Sequence, residues 1–259
     1  MANPHKFYLA YMHAKTGLRA TWDPGKPLKL GQVGKLDNFG VFSVFTSLEK
    51  EGIETEIMTD TTNIDMDYTS HNSVSIKTKV SGTAPTAGSV FTDVEAGFSI
   101  GFKNEKSILF QSTGNKTSHI TNMGEISTKI IQKYRDGNWP KDWLIITTLT
   151  ETDTATIIIS NSSNGTLELK AKAGVGAGTL KLTDASLDLS VAREQGSSLK
   201  YITQSGLTPL YRLMGIRKPL FGQVTIGEKA ADRAVNKEIS TDDLIHMDLT
   251  DDELNQMDE

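Results

Sequence analysis

TLELKAKAGVGAGTLKLTDASLDLSVA, residues 166–192, is the stretch on which the fold turns. Apolar side chains take every second place: Leu167, Leu169, Ala171 and Ala173, then Leu180 and Leu182, then Leu187, Leu189 and Val191. Between them stand Glu168, Lys170, Lys172, Lys181 and Asp188. A period of two is a β-strand with one dry and one wet face. The small-residue break AGVGAG (173–178) predicts a hairpin joining two long strands, 166–174 and 179–192.

The same alternation recurs upstream. Val90, Thr92, Val94, Ala96, Phe98, Ile100 and Phe102 place a long strand over 90–102. Val74, Ile76 and Val80, interleaved with Lys77 and Lys79, form its neighbour across the breaker-rich loop GTAPTAGS (82–89). Ile64, Met66 and Tyr68 alternate with Asp65 and Asp67, and PLKLGQV (27–33) and FGVFSVFTSL (39–48) are also strand-like. WLIITTLTETDTATIIIS (143–160) reads as a buried strand, a turn near Asp153 and a second strand, with a hairpin turn at NSSNG (161–165). A last strand and turn occupy SSLKYITQSGLTPLYRLMGI (197–216).

Twice the period shifts to helical. Residues 4–16 begin at Pro4 and stop at Gly17, with Phe7, Tyr11 and Ala14 as the inward stripe and Lys6, His13 and Lys15 opposite. Residues 120–136 carry Met123, Ile126, Ile130, Ile131 and Tyr134 at helical spacing. The fold class is therefore α+β, a twisted and mostly antiparallel central sheet with long amphipathic hairpins and flanking helices.

A chain of 259 residues, 37% hydrophobic and 23% charged, can bury a substantial core. It has no cysteine, hence no disulfide framework and no thiol nucleophile. The N-terminal residues lack the apolar stretch and cleavage site of a secretion signal, and no run suits a membrane-spanning helix. The expectation is a cytoplasmic protein. Residues 228–259 carry 11 acidic and 3 basic residues, while the rest is mildly basic. This predicts a folded body, 1–222, and an acidic tail, 223–259. Two capping patterns, Ser240…Asp243 and Thr250…Glu253, precede apolar residues in that tail.

Catalytic chemistry is scarce. The five histidines never fall four apart, and neither a P-loop nor a nucleophile elbow occurs. GVGAG lies between two alternating runs rather than between a strand and a helix, so it is not a dinucleotide loop. Asp65 and Asp67 share a strand face, and a hydrolase built on them is the weakest of three readings. Lys77/Lys79 and Lys170/Lys172 lack the interleaved aromatics and basic balance of a nucleic-acid face. No cofactor and no metal is expected.

Strand length leaves two readings open. A soluble strand needs about five or six residues, and a tilted membrane strand about 9–11. The pattern suits a half-buried sheet, whose acidic-hydrophobic tail would recruit a protein partner. It also suits a barrel wall with lipid on one face and water on the other, although pattern alone favours the half-buried sheet.

Element order tips the balance. The helix ISTKIIQKYRDG, then WPKDWLIITTLTETDTATIIIS, then TLELKAKAG…TLKLTDASLDLSVAREQGSSLKYI resembles the pore-forming domain of gasdermins over roughly residues 5–222. The quoted features are Trp143–Thr148, Glu151, the hairpin 166–192 and the return Gly196–Leu199. The short tail makes the chain similar to bacterial or fungal members, which lack a large repressor domain. The N-terminal cysteine of many bacterial members is absent.

The resemblance implies a non-enzymatic protein, cytoplasmic when inactive and at the cell membrane when active. It would bind lipid, oligomerise into a ring and convert to a membrane β-barrel, causing cell death in antiviral defence or allorecognition. Lys6, Lys15, Arg19, Lys26 and Lys29 are the candidate contacts to anionic lipid, each worth about 1 kcal/mol near a charged surface. Val74, Ile76, Val80, Val94, Phe98 and Ile100 belong to the first inserting hairpin. Leu167, Leu169, Ala171, Leu180, Leu182, Leu187, Leu189 and Val191 belong to the second. Leu244, Ile245, Leu249, Leu254 and Met257 would restrain the domain until a protease or partner releases the tail. Charges at Leu169 and Leu189 are expected to spare the soluble fold and abolish insertion.

Overall fold

The computed structural model describes residues 4–37, 40–70, 73–85, 87–172, 180–196, 198–217 and 225–228. Those residues form two α-helices and mostly antiparallel sheet, an α+β arrangement. The described residues divide into two units, one lying within residues 1–4, 63–115 and 152–207 and the other within 5–62, 116–151 and 208–259. Strands β8 (Ile108–Ile120), β9 (Leu144–Ser160) and β12 (Ser198–Arg217) contribute residues to both.

The second unit holds both helices. Helix α1 spans Pro4–Thr16 and ends where the Gly17 N–H bonds the His13 carbonyl, as its proline start and glycine stop predict. Its inward stripe is not the expected one. His5, Tyr8, Leu9 and Met12 are buried, whereas Phe7 and Tyr11 are half-buried and Ala14 is exposed. Both stripes have helical spacing. His5 joins the buried one because its imidazole packs edge-on against Trp22 at 4.4 Å. Burial first, then the Arg19 charge, lowers its pKa to about 4, against a smaller opposing pull from Asp37. It is therefore neutral at pH 7 and adds no charge to the helix.

Helix α2, Met123–Arg135, buries Ile126 and Ile130 as its periodicity requires. These pack with Val33 of β2 (Gln32–Leu36), Ile145 of β9 and Ile216 of β12. Leu144 and Ile146 point to the other face of β9 and meet Leu28, Tyr211 and Leu213. A strand covered on both faces reads as an unbroken apolar run, which is why LIIT shows no alternation. β3 (Phe42–Ser47) pairs with β2, β1 (Arg19–Ala20) with β12, and β4 (Ile57–Thr59) with the end of β8.

No turn forms at Asp153. Residues 144–160 are one strand. Threonine favours strands, and here the hydroxyls find partners: Thr150 with Thr117 at 3.0 Å, and Thr152 donating to the Thr113 carbonyl at 2.9 Å. NSSNG does turn the chain, with Asn164 at φ +55°, but it closes no hairpin, because β10 (Gly165–Lys170) pairs with other strands than β9. The last segment is likewise a single strand, β12.

In the first unit, β5 (Ile64–Thr69) pairs with the opening half of β8. The four remaining strands form a separate antiparallel sheet in the order β11–β10–β7–β6, namely Ser190–Gln195, Gly165–Lys170, Gly97–Phe102 and Val74–Lys79.

Candidate functional site

The four-stranded sheet is where the alternating segments of the sequence meet. Ile76 pairs with Ile100 and Ile100 with Leu167; Thr78 pairs with Phe98, Phe98 with Leu169, and Leu169 with Val191. Paired residues share a face, so these side chains make one apolar surface. Phe98, Ile100, Leu167, Leu169 and Ala171 pack there with Leu109 and Ile158, and Leu180, Leu182 and Leu187 close over the same cluster. Val74 and Leu189 pack against its rim. Val80 is half-buried, whereas Ile76, Val94 and Val191 are exposed.

Three sequence expectations are corrected here. The long strand over 90–102 begins only at Gly97, because residues 90–96 are irregular, with a turn at Asp93–Val94. The long strand over 179–192 is replaced by a 3₁₀ turn at Ala185–Leu187 followed by the short β11. A charge at Leu169 cannot spare the soluble fold, since that side chain is fully buried. The hairpin loop 173–178, including Ala173, lies outside the described residues.

Two geometric facts define the sheet. Its edges, β6 and β11, each pair on one side only among the described residues, and β11 is exposed throughout. All four strands also stop in one row, Lys79–Gly97–Lys170–Ser190. The β6–β7 and β10–β11 connections therefore leave from the same end.

The wet face carries Lys77 and Lys79 of β6, Ser99 of β7, Glu168 and Lys170 of β10 and Arg193 of β11. Residues 87–96 lie against it. Phe91 is buried beside Gly97, where a Cβ would fall 2.1 Å from the Leu169 carbonyl oxygen and 3.0 Å from the Phe91 ring. Only glycine permits that approach. Lys79 is 7% exposed, and its ammonium donates to the carbonyls of Val80, Asp93 and Glu95 at 3.1–3.3 Å. The Glu168 carboxylate, 3% exposed, accepts from the Val90 N–H at 3.2 Å. Lys170 pairs with Glu95, and Arg193 donates to the Gly88 carbonyl at 3.1 Å. Sequence reading placed both Lys79 and Glu168 on a solvated face. Burial of a charge by a covering segment leaves no mark on a period of two.

The candidate lipid contacts of the second unit divide. Lys15, Lys26 and Lys29 are exposed, Lys6 is half-buried, and Lys15 lies 5.7 Å over the Tyr11 ring. Lys26 pairs with Asp23 at 3.3 Å. Arg19 drops out as a surface contact: it is 1% exposed and its guanidinium donates to the Gly40 carbonyl at 2.8 Å. The tail residues Leu244, Ile245, Leu249, Leu254 and Met257 lie outside the described residues.

Asp65 and Asp67 line an open cavity of about 350 Å³ together with Gln111, Thr113 and Lys181. The Asp65 carboxylate accepts from the Gly114 N–H, and Asp67 from Gln111 and Thr69, so both are occupied by structural bonds. Among the described residues no cluster of three metal-ligating side chains forms. No described helix is long and apolar enough to cross a membrane.

No family model and no curated protein matches the chain. Among solved structures it superposes on the cryo-EM structure of the gasdermin A3 membrane pore, with 8% identity and a TM-score of 0.38. The superposition covers 88% of this chain and 96% of that one. At that identity and score it is a likeness and no more.

Proposed function

We propose that this chain is a pore-forming protein of the gasdermin kind. It rests in the cytoplasm, docks on anionic membrane through the exposed lysines near α1, assembles copy beside copy and opens the membrane by drawing out hairpins β6–β7 and β10–β11. The reading includes death of the cell whose membrane is breached, and restraint of the resting form by the acidic tail until cleavage or partner contact.

One observation carries it: four strands of alternating direction, with both outer edges unpaired among the described residues and all ends flush at one row. In such a sheet the two edges run antiparallel to each other. Copies related by rotation about a common axis can therefore join β11 to the next β6 as an ordinary antiparallel ladder. Only a closed ring satisfies every edge, because an unpaired backbone group in lipid costs several kcal/mol.

Length supports the same reading. Six residues span about 20 Å, short of the 9–11 residues a tilted membrane strand needs. Residues 80–96 and 171–189 are each long enough to add about six residues to both of their strands and still turn. Alternation persists through Val90, Thr92, Val94 and Ala96 although no strand is present there, as it would if the pattern served a second, extended state.

The test is dye release from phosphatidylcholine/phosphatidylserine vesicles by the full chain and by a chain ending near residue 230. The shortened chain is expected to leak faster and to show rings by electron microscopy of detergent extracts. Tight vesicles with both chains would reject the reading.

A further inference from the structure

We propose that residues 87–96 are a latch, fastened to the wet face of the four-stranded sheet by Lys79, Glu168 and Arg193, that holds the first hairpin in its short form. The inference rests on the pore-forming reading for its consequence but not for its geometry.

The three fastenings exclude the extended hairpin. If β6 and β7 continued past the row in the present register, Asp93 would stand opposite Thr83, about 13 Å along the strand from Lys79. That is beyond the reach of a lysine side chain, so its bond to the Asp93 carbonyl cannot survive. Glu168 pairs with Ser99, and Val90 would then lie about 30 Å further along β7. Gly88 would be further still from Arg193, which occupies the same row as Glu168. The Glu95–Lys170 pair is different. Glu95 stays within two residues of its present row, so that ion pair suits both states.

Two of the fastening groups are charges removed from solvent, which polar residues tolerate only when their bonds are made. The Lys79 ammonium is satisfied by carbonyl oxygens from both ends of the 80–96 connection, Val80 beside β6 and Asp93 and Glu95 of the covering segment. Loss of one contact therefore weakens the hold of the rest, and the segment leaves as a unit. Phe91, buried against Gly97, is the apolar part of the same fastening.

The full chain contains no cysteine, so an introduced pair gives a clean test. Val90→Cys and Arg193→Cys are both at exposed positions of the resting fold. A short bis-maleimide should join them in solution and, once joined, reduce release of dye from phosphatidylcholine/phosphatidylserine vesicles at least tenfold relative to the unjoined double variant. Equal release from joined and unjoined protein would overturn the latch while leaving the pore-forming reading intact.

A second measurement needs no membrane. Lys79→Met should accelerate elastase cleavage within 87–96 at least tenfold, with Arg193→Gln acting in the same direction and the circular-dichroism melt still cooperative. Unchanged cleavage in both variants refutes the fastening. If neither the joined nor the unjoined protein leaks, the pore-forming reading fails, and the latch is decided by the cleavage rates.

Discussion

Leu169→Asp is expected to yield no folded protein. Leu169 is fully buried at the centre of the cluster formed by Phe98, Ile100, Leu167 and Ile158. Truncation of such a leucine to alanine alone costs about 2–5 kcal/mol, and an unpaired carboxylate in the same place costs several more. The sum rivals the about 5–15 kcal/mol that holds a whole domain. Far-UV circular dichroism should show lost structure or the protein should aggregate. Leu169→Ala should fold with a midpoint lowered by about 4–20 °C. A cooperative, unshifted melt for Leu169→Asp would mean that the apolar face of the sheet is not the core of this unit.

Val94→Lys and Val191→Lys should do the opposite: spare the fold and remove the activity. Both side chains lie on the alternating apolar set yet are 79% and 44% exposed. A surface substitution of this kind moves stability by no more than about 0.5 kcal/mol. In a barrel wall each lysine at mid-bilayer would cost about 2–4 kcal/mol, and every copy in a ring would bear it. Vesicle dye release should fall at least tenfold, with melting unchanged. Asp93→Lys, on the opposite parity and exposed, should leak as the parent does. Equal loss in all three variants would show that added charge, not lipid contact, is responsible.

What the sequence made legible was parity rather than length. The apolar sets Phe98/Ile100/Phe102 and Leu167/Leu169/Ala171 are buried together as their spacing predicts, and α2 turns Ile126 and Ile130 inward. Strand ends were not legible, because alternation runs past the row Lys79–Gly97–Lys170–Ser190 into residues such as 90–96 that form no strand. Hydroxyl ladders hid the continuity of β9, where Thr150, Thr152 and Thr154 imitate a polar turn. They hid β8 altogether. Its buried side chains include Ser112, Asn115 and Ser118, and at Gly114 a Cβ would fall 2.1 Å from the Asp153 carboxylate. In α1, two stripes competed. The aromatic pair Phe7 and Tyr11 outweighed a histidine on paper, although a neutral His5 buries readily. Arg19 looked like a surface cation because its spacing from Lys15 continues the basic side of the helix, but the chain has already entered β1 at that point.

Fluorescence from an environment-sensitive probe along 90–95 tests the central claim most directly. Single cysteines at Val90, Thr92, Val94, Asp93 and Glu95 in this cysteine-free chain can each carry the label. In solution these positions lie outside any strand and should show no period. On phosphatidylcholine/phosphatidylserine vesicles under leaking conditions, 90, 92 and 94 should report acyl chains and 93 and 95 water. Release of dye with no two-residue alternation across these positions would contradict the account.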